Sequence, residues 1–274
     1  MTYLNFLLIF IGIPITPLIY LAFNNTHQDK KYILKGILVL CGLAFFYTTP
    51  WDNYILAQKV WMYGPDRVMG VIGYVPIEEY AFFLIQTVFS GLWTLLVLTR
   101  TLEPKSIKTS AQEMTSKKDN SLSRSSLLSF ANVNDPQIKW TKPLITLFLF
   151  GVFFYGVYAL TEEKSFYIGL ILAWATPVVL LQFIIGGQHL LVNKKVFLIC
   201  AMVPTLYLWL IDYFAIYDQI WLISDQYTLG LKLGVLPLEE MAFFLITNIM
   251  VVQGLLLFLI MRDTVKEVTK KVFG

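Results

Sequence analysis

Charge is scarce in this sequence. Asp, Glu, Lys and Arg account for 14% of its 274 residues, against roughly 25% in soluble domains. Such a chain cannot cover a large globule with solvated side chains, which argues against an ordinary soluble fold. The net charge of +3 says little by itself, and no nucleic-acid partner is expected. Cysteine and histidine are scarcer still, with two of each. Cys41 and Cys200 both fall inside apolar runs, where they read as packing residues, so no disulfide framework is implied. His27 and His189 stand far from other ligands and read as loop residues, so no metal site is expected. There is no Gly-x-Gly-x-x-Gly and no Walker sequence, which leaves no cradle for a dinucleotide or nucleotide phosphate. Asp-rich clusters that could hold a magnesium diphosphate are missing, as are Ser–His–Asp and Cys–His arrangements. No basic segment precedes the first apolar run and no small-residue cleavage site follows it, so that run is read as a retained helix.

What the chain has instead is apolar length. Hydrophobic residues make up 57% of it, mean hydropathy is +0.66, and several runs approach the ~20 residues that cross a bilayer as a helix. The runs are continuous rather than alternating, which excludes a membrane β-barrel. The fold class expected is therefore all-α: a polytopic membrane protein with about seven transmembrane helices. Hydropathy places them at Tyr3–Phe23, Ile33–Thr49, Ile77–Thr99, Leu144–Leu160, Phe166–Ile185, Val196–Asp212 and Leu238–Met261. Between the third and fourth, residues 101–142 are rich in Ser, Lys, Thr and Asn and read as a flexible linker.

The chain also repeats itself. Val75-Pro76-Ile77-Glu78-Glu79-Tyr80-Ala81-Phe82-Phe83-Leu84-Ile85 recurs 161 positions later as Leu236-Pro237-Leu238-Glu239-Glu240-Met241-Ala242-Phe243-Phe244-Leu245-Ile246. One copy would read as a helix start, with Pro in the first turn and acids facing the positive end of the dipole. Two copies in the same apolar context ask for more than capping. Thr16-Pro17 matches Thr176-Pro177, His27 matches His189, and Asp52 with Trp61 matches Asp212 with Trp221, nine positions apart in each pair. Spans one to three thus duplicate as spans five to seven. Because three spans are odd, the extra fourth span is what gives both halves the same orientation, related by an axis along the membrane normal. The expected division is a first repeat over 1–100, the linker over 101–142, a connector span over 143–162 and a second repeat over 163–274. All but four of the 21 basic residues fall inside if the N-terminus is outside and the C-terminus cytoplasmic; the exceptions are Lys59, Arg67, Lys164 and Lys232. Lys30, Lys31, Lys194, Lys195, Lys266, Lys270 and Lys271 then face the cytoplasm, and both acidic motifs face outward.

Neighbouring helix positions point about 100° apart, so one Glu of each pair can face the bundle while the other faces a loop. Glu78 shares a face with Phe82, Glu79 with Phe82, Phe83 and Gln86, and Glu240 with Phe243, Phe244 and Thr247. Ionisable groups in such surroundings are functional candidates by default, and a carboxyl kept neutral there could act as an acid. Aromatic faces could stabilise a cation developing on a hydrocarbon. Trp51, Tyr54, Trp61 and Tyr74 near the first motif, and Tyr213, Tyr217, Trp221 and Tyr227 near the second, also fit an interfacial aromatic belt. Asp52 and Asp212 either join the acids or end a helix at the interface.

The doubled Pro-x-Glu-Glu, Pro76-Ile77-Glu78-Glu79 and Pro237-Leu238-Glu239-Glu240, with its upstream Asp-Trp elements, resembles the membrane-integral lycopene cyclase family. The likeness is to its fused form, in which two three-span subunits are joined in one chain, and it covers nearly everything outside 101–142. The copies are not equivalent: Tyr80 stands against Met241, with one extra residue before Pro237. The resemblance implies redox-neutral cyclisation of the ψ-ends of lycopene to β-rings, giving β-carotene by way of γ-carotene, without a cofactor. It implies acid and base roles among Glu78, Glu79, Glu239 and Glu240. It also implies substrate contacts from Phe82, Phe83, Phe243, Phe244, Trp61, Trp221, Asp52 and Asp212. The partners implied are lycopene, related carotenoids and the lipid bilayer. A parallel-repeat transporter using intramembrane Glu residues is the alternative, as is a cyclase for another carotenoid or ring isomer.

Overall fold

The computed structural model of the protein describes residues 1–24, 30–101 and 136–273. His27 and residues 102–135 of the expected linker lie outside them, as do the side chains of Lys30, Lys31, Lys266, Lys270 and Lys271. Among the described residues there are seven helices long and apolar enough to cross a membrane. They are α1 (Tyr3–Asn24), α2 (Lys30–Ala57), α3 (Ile77–Thr101), α4 (Pro136–Ala159), α5 (Phe166–Val192), α6 (Lys194–Tyr217) and α7 (Leu238–Phe273). Helices are what such runs must form in lipid, where every backbone polar group needs an internal partner. Pro17, Pro50, Pro143, Pro177 and Pro204 all lie inside helices, which is common in bilayers because neighbouring groups re-satisfy the backbone. A π-helical turn over Leu8–Gly12 interrupts α1.

Several helices outrun the hydropathy boundaries. α2 passes through Pro50 and carries Asp52 inside it, and α6 continues past Asp212 to Tyr217. Neither Asp ends a helix: both are buried. α5 runs to Val192, so His189 is a helical residue and not part of a loop. α4 begins at Pro136, within the stretch read as linker.

α3 is the most enclosed span, with 72% of its apolar window buried, and it packs against α1, α2, α6 and α7. α7 in turn packs against α2, α5 and α6, whereas α4 lies chiefly on α5. Polar side chains tie the central helices together. Gln86 Nε2 donates to Thr247 Oγ1 at 3.1 Å, Ser90 Oγ to Asn248 Oδ1 at 2.5 Å, and Asn248 Nδ2 to Thr205 Oγ1 at 3.0 Å. Such bonds hold bilayer helices where apolar burial gives little preference for protein over lipid.

Short strands precede α3 and α7. β1 (Trp61–Tyr63) is followed by a hairpin of β2 (Val71–Ile72) and β3 (Val75–Pro76). β4 (Trp221–Ile223) is followed by one of β5 (Lys232–Leu233) and β6 (Leu236–Pro237). Runs of two or three residues are too brief to show an alternating pattern. Gly73 and Gly234 have φ of 68° and 63°, the left-handed backbone that two-residue hairpin turns ask of glycine. β1 and β4 pair with each other, Trp61 opposite Ile223 and Tyr63 opposite Trp221. That ladder joins the two halves, as do Gly64 N–H to Ile220 O at 3.1 Å and Ser224 N–H to Val60 O at 2.9 Å.

Candidate active site

The two acids of each motif do different things. Glu78 and Glu79 stand in the first turn of α3, Glu239 and Glu240 in that of α7, and all four are at least 95% buried. Glu78 Oε1 accepts from the Met69 backbone N–H at 2.8 Å, and Glu239 Oε1 from Leu229 N–H at 2.7 Å. These acids fasten the loops that lead into the hairpins. One residue further round the helix, Glu79 and Glu240 turn inward and line the same cavity.

That cavity is small, about 30 Å³, which is room for roughly two waters. Its other walls are Tyr3, Trp61, Tyr63, Phe82, Asp212, Trp221, Phe243 and Phe244. Tyr3 Oη and Tyr63 Oη both donate to Glu79 Oε2, at 2.6 and 2.9 Å. Tyr167 Oη and Trp61 Nε1 both donate to Glu240 Oε1, at 2.6 and 3.1 Å, and Trp61 Nε1 also reaches Tyr167 Oη at 2.7 Å. Among the described residues no donor is given to Glu79 Oε1 or Glu240 Oε2. In each carboxyl, then, one oxygen is held by two donors and the other is left for the cavity. Burial first, and the Glu79 carboxyl second, hold the Tyr63 hydroxyl well above the usual phenol range, so it stays a donor.

The halves differ at the Asp-Trp elements. Trp221 Nε1 donates to Asp212 Oδ1 at 2.8 Å within its own half. Trp61, its counterpart, crosses to Glu240 instead. Asp52 is therefore fully buried with neither carboxyl oxygen bonded, within electrostatic reach of Glu79 and Glu240. Asp52 does not line the cavity, whereas Asp212 does. None of the ion pairs among the described residues involves these buried carboxyls.

Aromatic rings form the rest of the wall. Trp51 stacks on Trp174 at 4.4 Å and on Phe243 at 5.6 Å, and Phe243 meets Phe244 edge-on at 5.3 Å. Phe82 and Phe244 meet edge to face at 6.2 Å. On the far side of Phe243 lies a second, larger hollow of about 210 Å³ between α2, α3, α5 and α7. Phe83 belongs to that groove and not to the carboxyl cavity, while Phe243 lines both. Of the residues proposed from sequence, the cavity thus gathers Glu79, Glu240, Asp212, Trp61, Trp221, Phe82, Phe243 and Phe244.

Tyr3, Tyr63, Tyr167, Trp51 and Trp174 were not singled out as site residues. The signal for Tyr63 is its place two positions after Trp61, which becomes readable only once β1 is known to be a strand. Tyr3 and Tyr167 had none. Their backbone N–H groups bond to Arg67 O and Tyr227 O, 160 positions apart like the rest of the repeat, but the tyrosines themselves are 164 apart.

A family model described as lycopene cyclase matches residues 1–97 and 164–261. The chain belongs to the lycopene cyclase family. It is 36% identical over 257 residues to a lycopene beta-cyclase of Halobacterium salinarum, covering 94% of this chain and 95% of that protein. It is also similar to bifunctional lycopene cyclase/phytoene synthases: 33% identical to that of Podospora anserina and 35% to that of Phaffia rhodozyma. These matches cover 89% and 82% of this chain but 37% and 32% of the fungal proteins. No solved structure matches. The matched segments of this lycopene cyclase family member contain Glu79 and Glu240 with every aromatic wall described above.

Proposed function

We propose that this protein is a lycopene β-cyclase in which Glu79 and Glu240 divide the acid and base steps of ring closure between them. The observation that carries the reading is one cavity shared by the inner Glu of both motifs, walled by aromatic rings and adjoining an apolar groove. The only counter-charge that the described residues offer these carboxyls is a proton. A carboxylic acid whose carbonyl oxygen is held by two donors carries its proton on the free oxygen, aimed at the cavity. Transfer to the terminal carbon–carbon double bond leaves a tertiary carbocation, and the two hydroxyl or indole donors take up the charge that develops on the oxygen. The internal double bond attacks the cation and the six-membered ring closes. The second carboxylate then removes a proton to form the ring alkene. One proton enters and one leaves, so nothing is oxidised or reduced. Phe82, Phe243, Phe244 and Trp221 face the cation with their π-systems, and between closures the base releases its proton to solvent water while the acid takes up a new one.

We read the chain as two three-span units with both motifs at the outer membrane face and the C-terminus in the cytoplasm. A C-terminal reporter that scores as extracytoplasmic would overturn that orientation. The cyclase reading is tested by expression in a bacterium that accumulates lycopene, followed by chromatography of the pigments. Conversion to γ-carotene and β-carotene is expected. Unchanged lycopene, with the protein in the membrane, would favour the transporter.

A further inference from the structure

The repeat fastens two seams with a tyrosine hydroxyl on a backbone carbonyl, and a hollow of about 210 Å³ lies behind one of them. Where α2 faces α5, Tyr47 Oη donates to Trp174 O at 2.8 Å, Trp174 Nε1 returns a bond to Tyr47 O at 3.4 Å, and the rings stack at 5.4 Å. Where α6 faces α1, Tyr207 stands 160 positions after Tyr47, and its hydroxyl donates to Phe10 O at 2.5 Å. Behind the second seam rings fill the space: Tyr207 lies 5.3 Å from Phe89, and Phe10 lies 5.1 Å from Phe6 and 6.3 Å from Phe214. Behind the first is the 210 Å³ groove. Its outer lip is lipid-facing, with Leu43 61% and Tyr47 40% exposed.

We propose that the α2–α5 seam is a lateral portal through which an isoprenoid polyene passes from the bilayer to the carboxyl cavity, with Tyr47 and Trp174 as its bar. This rests on the cyclase reading. A C40 polyene is about as long as the ~30 Å hydrocarbon core is thick. The groove is smaller than the roughly 300–1,000 Å³ that encloses a drug-sized ligand. It therefore holds only one end of such a chain, and the rest must trail into the acyl chains through an opening between helices. The seam meets that need cheaply. Its two hydrogen bonds come from side chains, so turning the two rings opens it without touching either helix ladder. Beyond the bar, Phe243 is the single ring common to groove and cavity. Its movement merges the two spaces and gives a ring-sized end access to Glu79 and Glu240. One portal admits one end at a time, so the chain has to leave and return reversed for the second closure.

The test places matched bulk at the two seams. Leu43 lines the groove, and Val203, 160 positions on and also lipid-facing at 40% exposure, lines none of the described hollows. In lipid vesicles loaded with lycopene, L43W and A44W should slow the first ring closure about tenfold or more, since extra bulk in a fitted path is poorly accommodated. V203W should stay within about twofold of the unmodified protein. V178W, on the opposite wall, serves where a groove variant fails to fold, and thermal unfolding in the same vesicles identifies such a failure. Unaltered rates in the folded groove variants, or an equal loss in V203W, would overturn the portal while the cyclase reading stands. Unconverted lycopene with the unmodified protein would overturn both.

Discussion

Replacing Glu79 by Gln should abolish most activity while leaving the fold nearly as stable, and replacing Glu78 by Gln should leave both activity and fold largely intact. The side-chain amide of Glu79→Gln keeps a carbonyl oxygen that can accept from Tyr3 and Tyr63, which donate at 2.6 and 2.9 Å. The stability cost is then on the order of 1 kcal/mol, the difference between charged and neutral acceptors. The amide has no proton to give, and a positioned general acid or base contributes typically ~10²–10⁴-fold, or about 2.7–5.4 kcal/mol of barrier. Glu78→Gln keeps an acceptor for Met69 N–H, bonded at 2.8 Å, so the loop stays fastened at a cost on the order of 1 kcal/mol. The same contrast should separate Glu240→Gln from Glu239→Gln. The assay is the ratio of β-carotene and γ-carotene to lycopene in membranes with matched amounts of protein, read beside the unfolding midpoint. Equal damage from the outer and inner substitutions, or full activity in Glu79→Gln and Glu240→Gln, would refute the division of roles.

Trp61→Phe keeps a ring against Trp51 and Phe243 but removes the N–H that serves Glu240 and Tyr167. It should cost on the order of 1–3 kcal/mol in unfolding free energy, and ring closure should slow; an unchanged melting point would count against the cross-half bond. Burial, then the Glu79 carboxyl, raises the Tyr63 hydroxyl above its ordinary value of 10.0. The folded state thus binds that proton more tightly than the unfolded one, and stability should hold below about pH 10 and fall above it. Tyr63→Phe should flatten that fall, which pH-dependent melting will show. Substituting Gln for both Glu239 and Glu240, with Glu78 and Glu79 intact, should stop closure at both ends of lycopene, because the cavity needs one inner carboxyl from each half. Robust β-carotene from that variant would mean two independent sites.

Much of this was readable from residue order. Seven apolar runs gave seven helices, and the doubled Pro-x-Glu-Glu pointed to the acids because a helix turns adjacent residues about 100° apart. Which Glu turned inward was not readable, since it depends on where the hairpin ending at Pro76 or Pro237 meets its helix. The hydropathy boundary at Thr49 fell short because Pro50 and Asp52 look like a helix end, whereas in the folded protein α2 carries both through. Tyr3 and Tyr167 escaped because the repeat is out of step there, 164 positions instead of 160. A tyrosine in the first turn of an apolar span also looks like any interfacial aromatic. The exchange of partners that sends Trp61 to Glu240 while Trp221 stays with Asp212 is a property of two halves packed together, and neither copy of the motif contains it.

The most direct test of acid-initiated ring closure is the mass of the product made in heavy water. With lycopene supplied in vesicles to purified protein in D₂O, each closure takes one deuteron from the exchanged carboxylic acid and returns one substrate proton to the base. Every β-ring should carry one deuterium, and β-carotene two. Product of unlabelled mass would contradict proton donation by Glu79 or Glu240.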